Sequence, residues 1–368
     1  MKRCLTCVIP DTRPDTPFVA GICSACQTYF TRPEIDWDAR RRELETLLER
    51  GRNSSGYDCI VPSSGGKDST WQALQLIRMG ARPLLVTATT CHLTGVGRLN
   101  IENLKRFATT IEVSPNKTVR AHLNRMGLEM VGDISYPEHA SIFTTPFRMA
   151  AALGIPLVFF GENPQEAYGG PKGTAEARQM TARWVSEFGG FLGLRPVDCA
   201  GYAGITLHDM ADYMMPTSEA IAKANVEAHF LGQYLGPWNS HENARIAKEA
   251  GMVQVLPCEA NWWNVENLDN AQTGLHCHGM YRKYGMGRLA AQVSVDIRYG
   301  RLTRSQGMEL VEWRDGLFPE QYMGVSLQDV LKPLGISRDK LFNILDTFTT
   351  WDLFEGEEKG RPILKEFA

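Results

Sequence analysis

The stretch Val61-Pro62-Ser63-Ser64-Gly65-Gly66-Lys67-Asp68-Ser69-Thr70 limits what this chain can become more than any other. It follows the strand-forming run Tyr57-Asp58-Cys59-Ile60-Val61 and precedes good helix formers from Trp71 to Met79, which stop at Gly80. Strand, tight turn and helix in that order build an anion cradle. Gly65 and Gly66 have no side chain to hold a phosphate off the backbone, so successive N–H groups and the positive end of the helix can face it. Ser64, Ser69 and Thr70 add hydroxyl donors, Lys67 adds a positive charge, and Asp68 adds a carboxylate that anion binding alone does not require.

The common mononucleotide loop places Ser or Thr directly after its Lys to hold magnesium, and it opens on a Gly. Here Asp68 follows Lys67 and Val61 stands at the opening position, so that motif is not met. The order Ser-Gly-Gly-Lys-Asp-Ser resembles the pyrophosphatase loop of the PP-loop ATP-pyrophosphatases. That resemblance implies cleavage between the α and β phosphates of ATP and adenylation of a substrate oxygen, with Ser64 to Thr70 binding ATP.

Downstream, short apolar runs alternate with helical stretches. Strands are expected at 57–61, 82–88, 110–113 and 156–160, with helices at 100–108, 117–126 and 136–153 between them. That alternation predicts an α/β fold with a parallel sheet and helices on both faces, and ligands at the carboxyl ends of its strands. The second strand ends at Thr87, whose backbone is placed to receive adenine. The fourth ends at Gly161-Glu162, where a carboxylate beyond a fully apolar strand can bind Mg2+ or orient the attacking group.

Before the loop, Cys4-Leu5-Thr6-Cys7 and Cys23-Ser24-Ala25-Cys26 are two Cys-x-x-Cys knuckles. Four thiolates at about 2.3 Å complete the tetrahedral shell of a closed, structural Zn2+, which stabilises a segment too small to have its own core. An iron–sulfur cluster is the other metal such ligands can hold. An amphipathic helix follows over 36–51, with Asp36 as its cap, and then a linker at 52–56. The charge balance of 39 Lys+Arg against 42 Asp+Glu argues against a general nucleic-acid surface. Hydrophobic residues never run long enough to span a bilayer, so the expected place is the cytoplasm, where nine cysteines suggest metal binding or buried thiols before disulfides. Four regions are expected: a zinc-knuckle segment at 1–32, helix and linker at 33–56, the PP-loop domain at 57–255, and a mainly helical region at 256–368. The last has helices at 305–313, 326–331 and 337–348 and aromatic anchors at Trp351 and Phe354.

The knuckle run Cys7-Val8-Ile9-Pro10-Asp11-Thr12-Arg13-Pro14, the loop, Gly161-Glu162-Asn163, Leu235-Gly236-Pro237-Trp238, Glu266-Asn267-Leu268-Asp269-Asn270, Tyr284-Gly285-Met286-Gly287-Arg288, Ile297-Arg298-Tyr299-Gly300 and Leu302-Thr303-Arg304 together resemble the N-acetyl sugar amidotransferase family of bacterial surface-polysaccharide and flagellar sugar biosynthesis. The likeness implies a reaction that turns the acetamido group of a nucleotide-linked sugar into an acetamidino group with ATP and ammonia. Lys67, Asp68 and Glu162 are then the catalytic residues. Arg288, Arg298 and Arg304 are candidates for the sugar-nucleotide phosphates or a sugar carboxylate, because guanidinium forks match both.

No glutaminase nucleophile is legible: Lys2 stands at position two, and Gly274-Leu275-His276-Cys277-His278-Gly279 has one residue too many for a nucleophile elbow. The resemblance therefore implies separate glutaminase and ammonia-channel subunits similar to those of histidine biosynthesis. The alternative is an ATP-dependent sulfur transferase acting on tRNA or a small molecule, for which Cys59, Cys91, Cys199, Cys258 and Cys277 would have to converge. His276 and His278 also suggest a metal site, but without a second ligand pair they read better as buried or substrate-facing polar residues.

Overall fold

The computed structural model describes residues 1–52, 56–171, 174–256 and 261–365. The chain opens with an antiparallel hairpin, β1 (Phe18–Val19) and β2 (Ile22–Cys23), followed by α1 (Ser24–Thr31) and α2 (Trp37–Gly51). Asp36 caps α2 as its sequence predicts, its carboxylate accepting from the Ala39 N–H at 2.8 Å. The linker expected at 52–56 lies partly outside the described residues.

Then come β3 (Cys59–Pro62), α3 (Lys67–Arg78), β4 (Pro83–Ala88), α4 (Gly95–Leu104), β5 (Thr110–Val113), α5 (Lys117–Val131), α6 (Tyr136–Leu153), β6 (Leu157–Phe160), α7 (Pro164–Tyr168), α8 (Ala182–Phe188), α9 (Ser218–Lys223) and β7 (Glu227–Phe230). The strands form one parallel sheet in the order β5-β4-β3-β6-β7. The chain steps outward from β3 on one side and then crosses back to β6. That reversal leaves a crevice beyond the carboxyl ends of β3 and β6, the usual ligand position in such sheets.

Strand periodicity divides the core into two layers. Ile60, Leu84, Val86, Val158 and Phe160 pack on the side of α5 and α6, against Leu123, Met126, Tyr136 and Phe147. Their neighbours Cys59, Val61, Leu85, Leu157 and Phe159 pack on the opposite side, against Leu44 and Leu48 of α2 and Trp71 and Leu76 of α3. Leu76 is fully buried; truncating it to Ala would cost about 2–5 kcal/mol and loosen the helix that carries the loop.

The fifth strand, β7, has no counterpart in the sequence expectation. Its four residues Glu-Ala-His-Phe alternate polar and apolar over too short a run to mark a strand, and it is paired by register to β6, with Leu157 opposite Glu227. After it, α10 (Ser240–Glu249) packs on α3, and α11 (Thr273–Tyr284), α12 (Arg288–Arg298), α13 (Arg304–Arg314), α14 (Leu327–Leu331) and α15 (Arg338–Thr347) follow. Two hairpins interrupt this helical region: β8 (Gln321–Tyr322) with β9 (Val325–Ser326), and β10 (Phe354–Glu358) with β11 (Arg361–Leu364). Lys359 and Gly360 both take positive φ, the conformation of a two-residue turn whose twist matches its strands. Among the described residues, no helix is long and apolar enough to cross a membrane.

Candidate active site at the phosphate loop

The loop forms at the end of β3 as its sequence requires. Gly65 adopts φ +81°, and a Cβ there would lie 2.7 Å from the backbone of Asn100 and Ile101, so only glycine lets the turn press against α4. Gly66 caps α3, and the hydroxyl of Ser69 donates to its carbonyl at 3.2 Å. Lys67, the first residue of the helix, is 2% exposed.

A buried cation needs partners, and Lys67 has them on two sides. Its Nζ donates to Asp68 Oδ2 at 2.5 Å and to Glu266 Oε1 at 3.0 Å. Burial alone would depress the ammonium, but Asp68, Glu266 and Glu162 outweigh it and hold the group above its ordinary value. The carboxylates are fixed in turn. Asp68 Oδ1 accepts from Asn243 Nδ2 of α10 at 3.0 Å, and Glu266 Oε2 accepts from Gln292 Nε2 of α12 at 2.6 Å. Gln292 Oε1 accepts from the backbone N–H of Trp262 and Trp263, which sets its orientation. Burial would raise the Glu266 carboxyl, but Lys67 and Arg288 hold it below the ordinary range. Glu162 goes the other way: burial and the charge on Asp68 push it up to about 7.

These groups face a cleft of about 490 Å³ at the switch point of the sheet. Ser64, Gly66, Lys67, Asp68, Ser69 and Glu162 line it, as the sequence leads one to expect, together with Arg288. Thr70 and Thr87 are 0% and 3% exposed and sit beneath its surface, and Gly65 is turned against α4. Arg298 lines a separate, smaller cavity. Arg304 reaches neither: its Nε donates to the carbonyls of Cys4 and Cys7, so it braces the knuckle segment. Sequence reasoning missed Glu266, Asn243 and Gln292 as site residues. Glu266 lay within a motif that carried the resemblance, but nothing in its neighbours marks it as a partner of Lys67.

The four knuckle cysteines are fully buried, and their sulfur atoms all lie within 4.8 Å of one another. Cys7 and Cys23 Sγ are 3.7 Å apart, too far for a disulfide and close to the edge of about 3.8 Å that a tetrahedron of sulfurs at about 2.3 Å from an ion would have. The donor set fits a closed zinc site. The segment rests on Met286, Leu289 and Val293 of the α12 region and Val311 of α13. His276 and His278 make no metal site with Cys277. His276 Nδ1 pairs with Asp133 Oδ1 at 2.8 Å, His278 Nδ1 with the Gly316 carbonyl at 3.1 Å, and Cys277 is buried.

Residues 261–366 match the family model described as LPS biosynthesis protein WbpG-like, C-terminal domain. This region is similar to the C-terminal domain of WbpG-like LPS biosynthesis proteins. The WbpG-like region supplies Glu266, Arg288 and Gln292, so it completes the cleft that the phosphate loop begins. No curated protein matches the chain. Among solved structures, NMN synthetase from Francisella tularensis aligns with 61% of this chain and 99% of its own length, at 13% identity and a TM-score of 0.28, an overlap too loose to argue from.

Proposed function

We propose that the protein is an ATP-dependent amidotransferase that converts the acetamido group of a nucleotide-linked N-acetyl sugar into an acetamidino group, releasing AMP and pyrophosphate. The observation that carries this reading is the constellation around Lys67: a buried ammonium at the start of a helix, behind a Ser-Gly-Gly turn, with Asp68, Glu162 and Glu266 in one cleft. Simple nucleotide binding has no use for three carboxylates beside the phosphate cation. Polyphosphate cleavage at the α phosphorus does.

An amide is a poor electrophile. Attack of its carbonyl oxygen on the α phosphorus of ATP breaks the bond to pyrophosphate and converts that oxygen into a leaving group. Ammonia then forms the C–N bond, and the oxygen departs on AMP. Lys67 and the loop N–H groups stabilise charge growing on the departing pyrophosphate. Magnesium, when bound, neutralises polyphosphate charge; the carboxylate oxygens of Asp68 and Glu162 suit it and are the residues that would hold it. Arg288, which lines the cleft, would bind the phosphates of the sugar nucleotide.

Ammonia would come from glutaminase and ammonia-channel subunits resembling those of histidine biosynthesis, in the cytoplasm where ATP and nucleotide sugars are made. A sulfur-transfer reading has less support. Among the described residues no cysteine lines the cleft, and burial pushes the thiols of Cys59, Cys91, Cys199 and Cys277 up, away from the thiolate form a nucleophile needs. Cys258 lies outside the described residues.

The test is mass spectrometry of the protein incubated with ATP, magnesium, ammonium and a panel of nucleotide-linked N-acetyl sugars. Exchange of carbonyl oxygen for NH lowers the neutral mass by about one unit, with AMP formed in equal amount, as displacement at the adenylated carbon requires. Formation of ADP and phosphate, or a rise of about sixteen units on addition of a sulfur donor, would refute the reading.

A further inference from the structure

The phosphate-loop cleft has two ends of different chemistry. At the β4 end it is polar: Gly97 and Asn100 of α4 line it together with Asp269, whose carbonyl accepts from the N–H of Thr94, just beyond β4. At the β6 end it is apolar, lined by Ile142 and Phe143 of α6, Pro164 of α7 and Phe188 of α8. The Phe143 ring lies 6.0 Å from that of Phe160, the last residue of β6. One turn before Phe143, His139 brings an imidazole to this apolar end.

Its hydrogen bonding settles which nitrogen is free. Nδ1 lies 3.3 Å from the Gly190 carbonyl, which can only accept, so Nδ1 carries the proton and Nε2 keeps its lone pair. Gly190 takes φ +76°, and a Cβ there would come within 2.8 Å of Nδ1, so glycine is what permits the contact. Among the described residues, nothing hydrogen-bonds to Nε2. The ring stands edge-on to His276, 5.2 Å between centres, and His276 Nδ1 pairs with Asp133 Oδ1 at 2.8 Å. Burial, His276 and Arg288 hold His139 down at about 4 against the opposing pull of Asp133 and the Gly190 carbonyl, so the imidazole is neutral at neutral pH.

Amidine formation needs a neutral base. Ammonia adds to the adenylated carbon through its lone pair, which leaves a positive charge on the new nitrogen. One N–H proton must leave that nitrogen; the C–O bond then breaks with its electron pair going to AMP, and the product is an amidinium. Most cleft groups are committed elsewhere. Arg13, Lys67 and Arg288 are cations, Asp68 and Glu266 hold Lys67, and Asp269 lies at the β4 end, where adenine is expected. Resting on the amidotransferase reading, we infer that the acetamido group sits at the apolar end of the cleft, its methyl towards Phe143 and Phe188, and that Nε2 of His139 takes the proton from the incoming nitrogen. Phosphates bound in the same cleft favour the imidazolium that results, and it returns the proton to water between turnovers.

Two readouts separate this role from a structural one. Exchange of labelled pyrophosphate into ATP, with sugar nucleotide and no ammonium, reports adenylation; amidine formed with ammonium reports the whole reaction. His139→Asn keeps an N–H for the Gly190 carbonyl and loses the basic nitrogen, and His139→Ala loses both. In each, amidine formation is expected to fall about 10²-fold or more, the usual scale of general-base help, while exchange stays within about threefold. Added imidazole is expected to restore amidine formation by His139→Ala about tenfold or more, because it supplies the missing base. Amidine formation that falls no further than exchange in both variants, or that imidazole fails to raise in His139→Ala, overturns the role of His139 and leaves the amidotransferase reading standing. Wild-type protein that shows neither exchange nor amidine with any nucleotide-linked N-acetyl sugar overturns both.

Discussion

Replacing Glu162 by Gln should stabilise the protein at alkaline pH while abolishing its turnover. Glu162 is held at about 7 against an ordinary 4.5, because burial and the neighbouring Asp68 charge disfavour its anion. In the folded state the group therefore keeps its proton over a range where the unfolded chain has lost it. Stability falls as pH rises from about 4.5 to about 7 and is level with respect to this group above that. At about 1.4 kcal/mol per tenfold change, the full penalty reaches about 3 kcal/mol at pH 8, and solvent screening of a half-buried side chain brings it to about 2 kcal/mol. Gln keeps the volume and removes the charge. The expected result is a melting temperature about 4 °C above wild type at pH 8, shrinking towards zero near pH 5, measured by scanning calorimetry in matched buffers. A difference between variant and wild type that stays flat from pH 5 to pH 8, or a variant that melts lower at pH 8, would refute the reasoning.

Lys67→Met should eliminate AMP formation, by at least 10³-fold if Lys67 supplies about 4 kcal/mol or more to the pyrophosphate-leaving step; an isotope-labelled ATP assay reads this directly. Gly65→Ala should destabilise the fold by about 2 kcal/mol or more, because its positive φ and the 2.7 Å approach to Asn100 and Ile101 leave no room for a methyl group; urea unfolding measures the loss. Cys26→Ser should reduce bound zinc from one ion per chain to a small fraction by elemental analysis, and lower the melting temperature by more than 5 °C as the knuckle segment loses the metal that ties its two Cys pairs together. Arg288→Ala should raise the KM for the sugar nucleotide about tenfold or more, whereas Arg304→Ala should leave that KM unchanged and weaken zinc retention, since Arg304 holds knuckle carbonyls.

Much of the sheet was legible because its strands are short, apolar and bounded by turn residues. The stretches expected at 82–88 and 110–113 are β4 and β5 to within a residue, and the expected helix at 136–153 is α6. The loop was legible because Gly-Gly-Lys-Asp-Ser at a strand end leaves few other conformations. What stayed hidden depends on distance along the chain. Glu266 meets Lys67 across 199 positions and Asn243 meets Asp68 across 175, and no local pattern encodes either contact. Arg304 misleads for a related reason: it follows a Thr303 whose hydroxyl caps α13, so the arginine offered for the sugar-nucleotide phosphates or a sugar carboxylate begins a helix facing the knuckles. The C-terminal hairpin escaped notice because Lys359-Gly360 gives a turn signal, while the flanking β10 is mostly charged and has only Phe354 buried.

The knuckle segment rests on α12 and α13, yet Arg13 reaches the cleft and Tyr29 the smaller cavity. It works as a keystone between two halves that are far apart in sequence. Trimming the protein to its five-stranded sheet, a natural step when seeking a minimal fragment, would remove a wall from each cavity at once and take Glu266 away from Lys67. The smallest unit that can be dissected, crystallised with substrate or fused to another protein is therefore the sheet together with both the metal segment and the WbpG-like region.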